Sequence, residues 1–249
     1  SNMFSDCTSL TTAPALPAID LANNCYSAMF KGCSSLTTAP SDYLPAMTLA
    51  NYCYNNMFGG CTSLTTAPEL PATTLADNCY SYMFEGCTSL TTAPALPATT
   101  LIYSCYSNMF SDCTSLTTAP ALPATTLANY CYRSMFAGCT SLTTAPSILP
   151  ADTLARACYD SMFSNCTSLT TAPALPVMTL VEECYSGMFY GCTKLTYIKC
   201  LATNISAFNC TYNWVNGVAA TGTFVKASSM TSWTTGTKGI PTGWKVQDA

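Results

Sequence analysis

The chain of 249 residues is 49% apolar and only 8% charged, with a net charge of −4, which gives ample material for a core and excludes a disordered chain. Its eight Lys and Arg are scattered singly, so it carries no basic footprint for nucleic acid or anionic lipid. Histidine is absent, which removes the commonest general base and the commonest zinc ligand together, and no apolar run reaches the length of a membrane span.

The first seven residues, SNMFSDC, recur at Ser107–Cys113. The chain therefore opens inside a repeat, and the expectation is a fragment or processed product whose export signal lies elsewhere. Met-Phe pairs follow at 3, 29, 57, 83, 109, 135, 162 and 188, with spacings of 26, 28, 26, 26, 26, 27 and 26. A period of this length means stacked supersecondary units, each burying its apolar face against its neighbours. The two longer units carry their extra residues in one place, APSDYLP at 39–45 and APSILP at 145–150, where Thr62–Cys87 has APELP. A site that accepts added residues is a surface loop, so Pro-x-Leu-Pro reads as a turn.

Before that turn, Ser63–Ala67 is short and Thr-rich and reads as a strand stopped by Pro68. After it, Leu75, Cys79, Met83 and Cys87 recur every four residues, with Ala76, Tyr80 and Phe84 alongside, which predicts a helix. Thr74 stands at the N-cap position, Asp77 completes a capping box, and Gly86 is placed to end the helix. One strand and one helix per unit make an α/β solenoid. Strands stacked about 4.8 Å apart against helices needing about 8–10 Å predict a curved array with strands on the concave side. Positions such as Asp77, Asn78, Ser81, Tyr82 and Glu85 vary from unit to unit and hold most of the charge, which marks them as the solvent face.

Seventeen cysteines suggest disulfides or metal, but their spacing argues otherwise. Cys79 and Cys87 would lie about 12 Å apart along a helix, and helices of adjacent coils about 8–10 Å apart, both beyond disulfide reach. No C-x₂₋₄-C pair exists for zinc. Two ladders of small buried thiols are expected, with Cys200 and Cys210 outside them. The tyrosines after each first cysteine, such as Tyr54, Tyr80 and Tyr106, are expected to pack inward with the hydroxyl at the rim. No carboxylate pair or nucleophile–base set can be picked out, so no enzyme activity, metal or cofactor is expected.

Paired threonines recur in each unit, and strand alternation sends one of each pair outward. Thr11, Thr37, Thr65, Thr91, Thr117, Thr143 and Thr170 form the candidate partner-binding face. Such a row suits a protein-binding groove, or a flat face for a lattice such as glycan, mineral or ice. It also suits a row of threonines that merely pair across strands.

From Lys194 the pattern degrades. Leu195, Ile198 and Leu201 read as one last strand, Thr203–Val215 as a final helix, and 222–230 and 239–246 as short strands. Trp214, Trp233 and Trp244 all lie here and can cover the last apolar rung, as solenoid ends require. The division expected is 1–198 solenoid and 199–249 cap.

The segments MFEGCTSLTT, MFSDCTSLTT and MFAGCTSLTT resemble the Met-Phe-x-Gly-Cys-x-x-Leu signature of BspA-like leucine-rich repeat surface proteins. The resemblance covers roughly residues 1–198 and recurs eight times, departing from the usual pattern in the Ala-Pro-x-Leu-Pro turn and the second cysteine. It implies a leucine-rich-repeat solenoid of about seven to eight strand-turn-helix coils, exported to a bacterial cell surface. There the expected role is adhesion, as a monomer, to protein or glycan of a host, matrix or microbe. A spacer that presents another domain is the alternative from a different class.

Overall fold

The computed structural model describes residues 1–39 and 44–249. The longer loop insertion falls mostly on residues 40–43, outside the described residues. In the shorter one Ile148 is exposed and Leu149 buried, so the added residue does sit on the surface.

Each unit is one coil in a stack of rungs, and in Thr62–Cys87 the side chains of Leu64, Leu70, Ala72, Leu75, Cys79, Tyr80, Met83, Phe84 and Cys87 are all buried in the core. The leucine of the Pro-x-Leu-Pro turn is thus an anchor, with Pro68 before it buried and Pro71 after it partly exposed. Three ladders tie coil to coil. Parallel bridges join Thr12, Thr38, Thr66, Thr92, Thr118 and Thr144 in succession. A second set joins Thr48 to Thr74, and Thr100 to Thr126 to Thr153.

The third ladder replaces the expected helix. Among the described residues no helix forms, and the segment that follows Leu75 is a run of overlapping tight turns. Within the coil, the N–H groups of Cys79, Ser81, Met83, Glu85 and Cys87 each bond the carbonyl three residues back, at 3.0–3.3 Å. The alternate N–H groups, those of Asn78, Tyr80, Tyr82, Phe84 and Gly86, bond carbonyls of the next coil at 2.8–3.0 Å. Every fourth residue takes a left-handed backbone: Asn78 at φ 53°, Tyr82 at 59° and Gly86 at 68°. Thr74 is therefore a bridge residue, and no N-cap exists for Asp77 to complete.

The physical reason is spacing. A helix satisfies its own N–H groups but holds its neighbours about 8–10 Å away, while the strand side stacks at about 4.8 Å. The turn ladder lets both sides share the short rise. Phe58, Phe84 and Phe110 stack with ring centroids 5.7 and 5.5 Å apart, and Tyr54, Tyr80 and Tyr106 at 5.8 Å. Without helices, the large mismatch from which curvature was expected does not arise, the ring columns stacking at 5.5–5.8 Å.

Burial also goes deeper than the sequence pattern suggested. Tyr54, Tyr80 and Tyr106 are each 1% exposed, so their hydroxyls lie inside the coil and not at its rim. Those of Tyr54 and Tyr106 have no hydrogen-bond partner among the described residues. Ser81, expected on the solvent face, is fully buried and donates to the carbonyl of Ser104. All seventeen cysteines are free thiols, Cys200 and Cys210 included. The distance argument for that outcome rested on helix spacing and does not apply where no helix forms.

The same geometry runs on past residue 198. Strand β1 (Tyr197–Cys200) pairs in parallel with β2 (Thr223–Lys226), and β2 with β3 (Lys245–Asp248). Thr171 bridges Tyr197, so this sheet continues the first ladder. The stretch expected as a final helix is another set of turns, with Asn209, Asn213 and Gly217 left-handed. Trp214 ends both aromatic columns: its ring lies 6.3 Å from Tyr185 and 6.2 Å from Phe189. Trp233 stacks on its other side at 5.6 Å. The indole N–H groups of Trp214 and Trp244 bond the carbonyls of Gly239 and Ala219. Trp214 and Trp233 thus close the two aromatic columns. No helix among the described residues is long and apolar enough to cross a membrane.

Candidate functional site

The candidate threonines line the first bridge ladder. Thr11, Thr37, Thr65, Thr91, Thr117, Thr143 and Thr170 are all exposed, and so are their partners Thr12, Thr38, Thr66, Thr92, Thr118, Thr144 and Thr171. Strand alternation had sent only one of each pair outward. The strand here is a single bridged residue per coil, so the chain bends around Thr-Thr and both side chains face solvent. Leu64 before the pair and Ala67 after it carry the packing.

Part of the hydroxyl capacity is used within the ladder. The hydroxyls of Thr65 and Thr143 donate to the carbonyls of Thr37 and Thr117, each at 3.2 Å, beside the backbone N–H of the same residue. That orders the first row and leaves the oxygen lone pairs toward solvent.

A second hydroxyl row was read in the sequence only as helix caps. Thr73 and Thr74, Thr99 and Thr100, and Thr125 and Thr126 are exposed on the second ladder. The signal was present as Pro-Ala-Thr-Thr-Leu at one place in three successive units. Between the rows lie the proline turns, and a shallow groove of about 300 Å³ runs between Pro68–Pro71 and Pro94–Pro97. Neither row carries a charge in the central coils.

Charged groups cluster instead on the turn side. Arg133 pairs with Asp160 at 3.0 Å, and Arg156 with Glu182 and Glu183 at 3.3 Å. Burial raises the carboxyls of Asp160 and Glu85 above the usual carboxylate range; Arg133 partly offsets this for Asp160, and Asp112 adds to it for Glu85. These are coil-to-coil pairs in exposed or half-exposed settings, each a minor contribution to stability. Among the described residues no group of three or more Cys, Asp or Glu converges as a metal site. Fifteen of the cysteine thiols, all but Cys7 and Cys25, are buried, and burial pushes these up, to about 12 for Cys61, Cys139 and Cys192. At neutral pH they are protonated and chemically quiet.

Comparison with known proteins agrees with this architecture. The BspA type leucine rich repeat region matches residues 46–170 and 128–215, in six copies. A solved leucine-rich repeat protein from Bacteroides ovatus ATCC 8483 is similar, with a TM-score of 0.53 at 20% identity over 89% of this chain. The chain spans 56% of that protein, and at this identity the likeness is one of fold. No curated protein matches the chain. With its repeat matched over more than half its length and its coils stacked as described, the chain belongs to the BspA-type leucine-rich repeat family.

Proposed function

We propose that this protein is a cell-surface binding protein whose threonine rows form the contact face for macromolecules of a host, a matrix or other microbes. Family membership supports the coarse reading, since proteins of this family are often surface or binding proteins and leucine-rich repeat arrays are typically non-enzymatic scaffolds. One observation carries the finer one: both threonines of each pair are exposed, in register, over successive coils. The result is an extended face of ordered hydroxyls without charge, suited to many weak contacts with one partner.

The test is a triple variant, Thr65→Glu, Thr91→Glu and Thr117→Glu, which puts three charges on neighbouring rungs of the face. Binding is measured to immobilised extracellular-matrix proteins and to whole bacterial cells. The binding reading predicts loss of capture with an unchanged thermal midpoint. Capture equal to that of the unaltered protein would leave the array as a spacer.

A further inference from the structure

We infer that the first threonine row ends, at its C-terminal limit, in a site for an acidic glycan, a sugar chain bearing carboxylates. This rests on the reading of the row as a binding face and adds a ligand class at one end of it.

The first observation is a groove. The bridge succession runs to Thr118–Thr144 and resumes at Thr171–Tyr197, with no bridge between Thr144 and Thr171. A groove of about 440 Å³ lies there, lined by Thr143, Thr144, Thr170, Thr171, Tyr197 and Lys199 among others. The coil concerned is the one with the extra residue, and its Ile148 bridges Ala174 further along. Among the described residues the row is open at this coil alone, since the coil with the longer insertion keeps its bridge from Thr38 to Thr66.

The second observation is the residue at the ladder position. Thr171 bridges Tyr197, which holds the place that threonine holds in the coils before it and is 36% exposed. At this rung an aromatic ring with its polar tip stands between Thr171 and Thr223 of the same ladder, the kind of surface on which a sugar ring can lie while its hydroxyls bond outward. An aromatic ring among hydroxyl groups favours a saccharide over a peptide. The alternative of adding a peptide strand is closed here, because β1 is bridged to Thr171 on one side and paired with β2 on the other.

The third observation is charge. Lys199 lies two residues beyond Tyr197 on the same face of β1, and Lys245 of β3 stands in register with Tyr197 through Thr223. Among the described residues neither lysine has an ion-pair partner. Residues 1–183 hold eleven of the twelve acidic groups and three basic ones, whereas residues 184–249 hold five lysines and only Asp248. An anion is therefore drawn to this end of the row and repelled along the rest of it.

The experiment measures binding of oligogalacturonate, a neutral oligogalactose of equal length and poly-glutamate, at low and high salt. Oligogalacturonate is expected to bind, more weakly at high salt, and to lose at least tenfold in affinity with Lys199→Gln and with Tyr197→Thr. The second change installs the residue the ladder itself uses, so both variants are expected to keep the native thermal midpoint. Lys238→Gln, on a lysine packed over Tyr212, is expected to bind as before. No binding of oligogalacturonate, equal binding of the neutral sugar or of poly-glutamate, or equal loss with Lys238→Gln would each overturn the proposal. Failure here is distinct from failure of the binding face as a whole, because capture of matrix proteins or cells by the Thr65, Thr91 and Thr117 variant is read separately.

Discussion

The thiol of Cys113 donates a hydrogen bond to the carbonyl oxygen of Phe84, one coil earlier, at 3.1 Å. The same carbonyl accepts the backbone N–H of Cys87 within its own coil, also at 3.1 Å. The pattern recurs at Cys61 with Phe30, Cys87 with Phe58, Cys139 with Phe110 and Cys192 with Phe163. The second cysteine of each unit is thus a small buried side chain that also ties one rung to the rung before it, a combination that alanine and serine each supply only in part.

Replacing Cys113 by alanine removes that donor and leaves a small void. The expected cost is about 1–3 kcal/mol, read as a lower denaturation midpoint, with near-equal losses at Cys87 and Cys139. An unchanged midpoint would show that the thiol contact is incidental.

The thiols also set the response to alkali. Burial holds Cys61, Cys139 and Cys192 near about 12, whereas in the unfolded chain a thiol ionises near about 8.5. Raised groups contribute stability that is fully present below the unfolded value and is lost as pH rises toward the folded one. Stability is therefore expected to be level up to about pH 8 and then to fall, by as much as about 1.4 kcal/mol per pH unit for each such thiol. Alkylation at neutral pH should find Cys7, the exposed thiol, reactive in the native protein, and all seventeen after denaturation without reductant. Fewer than about twelve thiols in the denatured chain would contradict the free-thiol ladders.

Gly86 tests the turn ladder. Its φ is 68°, and a Cβ there would meet nothing closer than the Gly60 backbone at 3.8 Å. Space is available, so only the left-handed backbone discriminates between side chains. Gly86→Asn is expected to be nearly neutral and Gly86→Val to cost about 1–3 kcal/mol. Equal midpoints for the two variants would argue against the ladder.

Much of the solenoid is visible in the chain: the period, the surface loop at 145–150 and the buried thiols. The turns were hidden by their likeness to a helix. Leu75, Cys79, Met83 and Cys87 recur every four residues, and on a helix that spacing drifts by about 40° per step, so the last would stand far around from the first. The residues that take left-handed backbone also carry a trace. Asp6, Gly32, Gly60, Gly86, Asp112, Gly138, Asn165, Gly191 and Gly217 occupy one equivalent place and are all Gly, Asn or Asp, the types that tolerate it best. For the binding face, Thr65 and its equivalents were legible, but the alternation rule, which needs a longer strand than one bridged residue, allowed only one of Thr65 and Thr66 to face outward. The groove at Tyr197 and Lys199 depends on which coils stand side by side, and spacing along the chain does not carry that.

The most direct measurement is site-specific photo-crosslinking to captured matrix or cell-surface material. A photoreactive residue is placed at Thr91 on the first row, or at Tyr82 on the turn side, both exposed positions. Crosslinked partner from Thr91 and none from Tyr82 is the predicted result. Crosslinking from Tyr82 alone would move the binding face to the turns and contradict the account.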